Sequence, residues 1–361
     1  MTPVIQRMAA PDRTLEGMAG GRTRGVARSH AAGLVGAGVA LVGALAGCMA
    51  SGPAEPGESP PAVYPYLEVT STDPQDLVRM RADAQVDGLI LAFVIGGPGC
   101  RPVWSRGGLD VAAPEVKSRI EALRRAGAPV WISFGGAGGR DLSQACDSVE
   151  KLTAAYGAVV RNHRPDGIDL DVEGRSLTDR AGNARRVAAI SALQRAAAGA
   201  GNTLKLSYTL PAARDGIPPD GVGLVKDSIA AGISITAVNV MIMNYGWGVT
   251  DLGGEAVRQA GMAQELVRRL WPALSDREAW QRVALTPMVG CNDVRDEIFH
   301  RGDARAVARF AGTRDIGWLS YWSLERDRAC PLPPPPQPSW HCSGVTQRRY
   351  EYARILKSQS R

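Results

Sequence analysis

Eight short runs rich in β-branched and aromatic residues alternate with helix-patterned stretches, and this alternation restricts the fold more than any other feature of the chain. The runs cover 64–70, 88–96, 130–136, 167–173, 205–211, 237–245, 283–290 and 317–324. Segments with helical spacing lie between them, among them 114–126, 149–162, 179–198, 255–270 and 304–312, with 345–356 as a closing helix. A strand, a crossover helix and a second strand imply a parallel sheet, because a tight turn cannot join parallel neighbours. Eight such units in roughly 300 residues fit a closed α/β barrel, the (β/α)8 or TIM-barrel class, better than an open doubly wound sheet. The open sheet would carry a Gly-rich dinucleotide turn after its first strand, and Thr70-Ser71-Thr72-Asp73 is not one. We find no internal repeat and no second domain, so residues 63–361 read as one barrel.

The fourth run carries the densest chemistry: Asp166-Gly167-Ile168-Asp169-Leu170-Asp171-Val172-Glu173. Alternate residues of a strand share a face, so Asp169, Asp171 and Glu173 point one way and Ile168, Leu170 and Val172 the other. The apolar set packs on the helices, which sends the three acids into the barrel, about 6.6 Å apart along the row. Negative charges this close cannot all persist in the interior, so at least one proton is expected to be shared among them. No Lys or Arg alternates with them to make a structural ion pair. Two uses remain: a divalent metal site, needing oxygen ligands from several strands, or acid–base work on a glycosidic bond. Glu173 ends its run, at the face where barrel enzymes place their sites, with Asp171 and Asp169 progressively deeper. That gradation suits one acid supported from beneath. The four His are too scattered for a metal cluster, and the Gly-rich 135–139 lacks the Lys-Ser/Thr of a phosphate cradle, so neither metal nor cofactor is expected.

The chain before the barrel reads as an address. Arg22, Arg24 and Arg28 precede an uncharged, Gly/Ala-rich stretch, 31–47, too short for a membrane span of about 20 residues. It ends in Leu45-Ala46-Gly47-Cys48, which resembles a bacterial lipoprotein signal with Cys48 lipidated. Residues 1–47 are therefore taken as the signal segment and 48–62, rich in Pro, Ser and Gly, as a tether. An exported protein held at a membrane only by a lipid anchor, or else secreted, is the expectation. Residues 1–47 also carry five Arg against Asp12 and Glu16, half of the net +6, so no nucleic-acid-binding surface is indicated. In an exported setting disulfides persist. Cys330 and Cys342 bracket the loop PLPPPPQPSWH and make a natural pair; Cys100 and Cys146 both follow strands and could form another, leaving Cys291 over.

Asp166, Gly167, Asp169, Asp171 and Glu173 match DGxDxDxE, and in this the chain resembles the family 18 glycoside hydrolases, the chitinases. Ser133-Phe134-Gly135-Gly136 matches that family's SxGG, and 206–211, 238–246, 286–294 and 319–327 are similar to segments of secreted bacterial chitinases. The resemblance implies that Glu173 is the general acid and that the substrate's own acetamido oxygen is the nucleophile. It implies that Asp171 orients the acetamido group and keeps Glu173 protonated, and that Asp169 shares a proton with Asp171. Tyr245 would hydrogen-bond the acetamido carbonyl and Trp322 would form the floor under the reacting sugar. Met243, Asn244, Ser133 and Gly135 are the further candidates for substrate binding; Met241 reads equally as core, and Trp247 as a sugar platform or a surface side chain. One departure stands out: where the bacterial relatives commonly read Met-Asp-Tyr, this chain has Met243-Asn244-Tyr245, one negative charge fewer. The expected activity is endo-type cleavage of chitin or N-acetylglucosamine oligosaccharides by a monomer, without metal or cofactor. An endo-β-N-acetylglucosaminidase acting on N-glycans and a chitin-binding lectin are the alternatives, and the presence of Glu173 disfavours the lectin.

Overall fold

The computed structural model describes residues 61–70, 74–333, 335 and 337–358, all within the compact unit Glu55–Arg361. The expected signal segment and nearly all of the tether, Cys48 included, lie outside the described residues.

The eight runs become eight barrel strands: β1 (Ala62–Val63 and Tyr66–Glu68, interrupted at Pro65), β2 (Leu89–Gly96), β3 (Val130–Gly135), β4 (Gly167–Asp171), β5 (Leu206–Pro211), β6 (Ala237–Met241), β7 (Val283–Thr286) and β8 (Trp318–Leu319). Each pairs in parallel with the next, and β1 closes the ring. Its first half pairs with β8, where Tyr64 N–H donates to the Leu319 carbonyl at 2.9 Å, and its second half pairs with β2, where Ile90 N–H donates to the Pro65 carbonyl at 3.0 Å.

Alternation along the strands separates two cores. Ile168, Leu170, Leu206, Tyr208, Leu210, Val238 and Val240 face outward into one apolar layer beneath the helices. Ile90, Ala92, Trp131, Ala237, Ala284 and Trp318 face inward and, with Tyr66, plug the barrel. Trp131 and Trp318 meet there at 5.4 Å.

The strands are shorter than the apolar runs. β6 ends at Met241 because Asn244 adopts a left-handed conformation (φ 52°), which Asn tolerates better than most residues. The closing helix is Glu351–Ser358 and begins later than the apolar spacing indicates. The buried carboxylate of Asp327 fixes its start, accepting from the N–H groups of Tyr352 at 3.1 Å and Ala353 at 2.8 Å. Both expected disulfides form, Cys100–Cys146 and Cys330–Cys342, and Cys291 is a free thiol. No helix among the described residues is long and apolar enough to cross a membrane.

Candidate active site

β4 carries Asp169 deepest. Its buried carboxylate accepts from four hydroxyls: Tyr66 at 2.9 Å and Ser133 at 2.7 Å on Oδ2, Ser207 at 2.6 Å and Thr209 at 2.8 Å on Oδ1. Asn239 Nδ2 supports Thr209 Oγ1 at 2.9 Å, and Thr286 Oγ1 supports Asn239 Oδ1 at 2.8 Å. The network therefore ties β1 and β3 through β7 together at one level. Burial raises the pKa of Asp169 and the four hydroxyls oppose that rise. A carboxylate with four donors is held as an acceptor. Sharing of a proton between Asp169 and Asp171, which the resemblance implies, is not the arrangement found.

Asp171 and Glu173 instead act on each other's protonation. Burial lifts Asp171 well above the usual carboxylate range, with the charges of Glu173 and Asp169 adding to it. Glu173 is pushed up to about 7, first by burial and also by the charge of Asp293, while its bond to Asp171 pulls the other way. Carboxyls that sense each other in this way lose their protons as a pair rather than independently.

A cavity of about 340 Å³ opens over this pair. Met241, Met243 and Met288 form apolar wall, Asn244 and Asp293 stand at one side, and Trp322 lies on the other. Trp322 follows β8 and stacks on Phe93 of β2, with ring centroids 5.4 Å apart and planes 15° from parallel. A second cavity, of about 520 Å³, shares Phe93, Ala137 and Trp322 with the first and continues past Glu68 and Arg106.

Glu173, Asp171, Met243, Asn244 and Trp322 thus meet in one pocket. Four other candidates do not line it, and the first, Asp169, lies beneath within its hydroxyl network. Tyr245 was placed inward by continuing β6, but its N–H and that of Gly246 donate to the Glu297 carboxylate at 2.8 and 2.7 Å, which turns the chain. Its ring is buried in the outer core and packs on Trp247 at 4.8 Å; its hydroxyl has no hydrogen-bond partner among the described residues. Ser133 is fully buried and serves Asp169. Gly135 is a spacer: at φ 99° its position would put a Cβ 2.1 Å from the Asp171 carbonyl oxygen, so only glycine lets β3 lie this close to the end of β4.

Sequence reading missed the partners of Asp169. Ser207, Thr209, Asn239 and Thr286 are polar residues at inward positions of otherwise apolar runs, and that contrast was the available signal. Asp293, in the loop after β7, carried no periodic signal at all.

A parallel barrel whose mouth holds two neighbouring carboxyls, both raised above their usual range, beside a stacked indole has the architecture of a glycoside hydrolase. No family model matches the chain. Over 281 residues it is 33% identical to a probable bifunctional chitinase/lysozyme of Escherichia coli (strain K12), covering 74% of this chain and 31% of that one. Over 278 residues it is 32% identical to endochitinase 11 of Metarhizium anisopliae, covering 74% and 53%. The chain therefore spans less than two thirds of either relative. The catalytic domain of a hyperthermophilic chitinase from Pyrococcus furiosus aligns with a TM-score of 0.72 at 25% identity, over 83% of this chain and 96% of that one. The chain is thus similar to chitinases, and its fold is the one that solved chitinases of glycoside hydrolase family 18 adopt.

Proposed function

We propose that this protein hydrolyses β-1,4 linkages inside chitin or N-acetylglucosamine oligomers, with retention at the anomeric carbon. The Asp171–Glu173 pair carries the reading: two carboxyls lining one cavity, Asp171 buried and Glu173 half-buried, with Glu173 raised to about 7. Glu173 donates its proton to the glycosidic oxygen as the bond to the anomeric carbon breaks. Retention through an enzyme nucleophile needs a second carboxyl on the opposite face of the sugar, about 5–5.5 Å from the acid. Asp171 stands on the same strand and side as Glu173, so it cannot attack from there. The acetamido oxygen of the substrate attacks instead and forms an oxazolinium ion. Asp171, ionised once Glu173 holds the proton, orients the acetamido N–H and offsets the positive charge. Water then opens the ion, giving its proton to Glu173. Trp322 and Phe93 support the apolar face of the sugar ring.

One observation favours a second reading. Asp293 is a further carboxylate lining the cavity, and an inverting enzyme would use such a group to activate water. Product stereochemistry distinguishes the two. Glu173→Gln is expected to cut turnover about 10²–10⁴-fold with oligomer binding retained, and fully deacetylated oligomers are expected to be nearly inert. Rapid cleavage of deacetylated oligomers, or inversion, would refute substrate assistance; an unaltered rate in Glu173→Gln would refute the activity itself.

The reading extends to location: residues 1–47 direct export and Cys48 carries a lipid that holds the domain at a membrane. The signal-like pattern ending at Cys48 supports this, as do two disulfides, which persist in oxidising compartments.

A further inference from the structure

The loop closed by Cys330–Cys342 takes no part in the chemistry above, yet it carries the exposed large apolar side chains among the described residues, Leu332 and Trp340. Trp340 is 36% exposed, but its backbone is pinned on both sides. The Ser339 carbonyl accepts from Arg326, and the His341 carbonyl accepts from Arg328 Nε at 2.7 Å. Arg326 is itself buried and bonds the carbonyls of Val289 and Cys291 at 3.0 and 2.6 Å. The Arg106 guanidinium lies over the indole, 3.6 Å from the ring centroid, and pairs with Glu68. An aromatic surface ordered before any ligand arrives loses little freedom on binding.

Trp340 walls a cavity of about 340 Å³, similar in size to the one over Glu173, with Glu325, Arg328, Arg349 and Tyr350 around it. Glu325 is buried; one carboxyl oxygen accepts from the Glu68 N–H at 2.7 Å, and the other has no hydrogen-bond partner among the described residues. The Tyr350 hydroxyl also lacks one. An indole beside a buried carboxyl, guanidinium groups and a phenol suits a hexose ring, which has an apolar C–H face and hydroxyls that donate and accept. A lipid tail or an apolar peptide would desolvate the guanidinium groups of Arg328 and Arg349 and offer them no acceptor in return. Trp340 also touches the active-site side of the molecule through Arg106, which with Glu68 lines the cavity that shares Phe93 and Trp322 with the catalytic one.

We propose that the Trp340 cavity is a distal saccharide subsite, holding a sugar residue remote from the cleaved bond when the substrate is a long chain. This rests on the substrate class proposed above and adds that the disulfide-closed loop sets a preference for length.

The experiment is a comparison of kcat/KM on the shortest cleavable N-acetylglucosamine oligomer and on soluble polymer, for wild type, Trp340→Ala and Trp340→Phe. The polymer-to-oligomer ratio is expected to fall about tenfold in Trp340→Ala, through KM, and to recover largely in Trp340→Phe. A ratio unchanged in Trp340→Ala overturns the subsite while leaving the activity standing. Should wild type cleave no oligomer, the proposed activity fails, and calorimetry of long oligomers on Glu173→Gln with and without Trp340→Ala reads the subsite alone. Equal affinities there overturn it; weaker binding by the double variant sustains it.

Discussion

Asn244 and Asp293 exchange hydrogen bonds beside the catalytic cavity: Asn244 Nδ2 donates to Asp293 Oδ2 at 3.2 Å, and the Asp293 N–H donates to Asn244 Oδ1 at 2.8 Å. The negative charge that Met-Asn-Tyr lacks relative to Met-Asp-Tyr is thus present on the neighbouring loop, where it acts on Glu173.

Removing that charge has a definite sign. Asp293→Asn keeps a side chain able to bond Asn244 and withdraws the repulsion that raises Glu173, so the acid loses its proton at lower pH. The alkaline limb of the pH–rate profile is expected to move down by up to about one unit. A limb that stays in place, or moves up, would show that Glu173 does not sense Asp293.

Gly135 tests the packing of β3 on β4. A Cβ there meets the Asp171 carbonyl oxygen at 2.1 Å on a backbone of φ 99°, and neither strand has a flexible end that can give way. Gly135→Ala is expected to cost about 2–3 kcal/mol and to lower Tm by several degrees. Gly199→Ala, at a helix end with nothing within 4 Å of the new methyl, is expected to be neutral or stabilising. Equal Tm values for the two variants would rule out the close approach.

Burial also shapes stability against pH. Glu325 and Glu173 are pushed up to about 7 and Asp327 to about 6. A carboxyl with a higher pKa folded than unfolded binds its proton more tightly in the native state. Its contribution is full below the unfolded value, about 4 to 4.5, and is lost as pH rises through the folded value. Tm is therefore expected to fall between pH 5 and pH 8, and Glu325→Gln to flatten the slope. A flat profile in wild type, or the same slope in the variant, contradicts this.

The anchor is tested in cells. With Cys48 lipidated, the protein partitions with membranes and Cys48→Ser releases it. Wild-type protein recovered wholly soluble, with an N-terminus other than residue 48, excludes the lipid.

How far the sequence could be read depended on whether the deciding contact was local. β4 announces itself because Ile168, Leu170 and Val172 alternate with the acids, and the barrel follows from eight such runs spaced by helices. The bend after β6 does not announce itself. Residues 241–245 are mostly apolar and look like strand, and the chain turns there because Glu297, some fifty residues on, accepts from the Tyr245 and Gly246 N–H groups. That contact, with the left-handed turn at Asn244, carries Tyr245 away from the cavity. Asp293 was invisible on the same grounds: its importance lies in lining the same cavity as Glu173 and acting on it by charge, and no spacing within its own loop encodes that.

The seam of the barrel has a consequence for how the chain is made. Ala62 pairs with Trp318, so the first strand waits for the last before either has its full set of neighbours. Asp87 then locks the join, accepting from the Val63 N–H at 2.7 Å and from Lys357 of the closing helix at 2.8 Å. A chain emerging from the ribosome carries two open sheet edges until nearly the whole domain has been synthesised. Such a polypeptide stays unclosed late into translation, the state in which a chain can still be threaded through a narrow export channel.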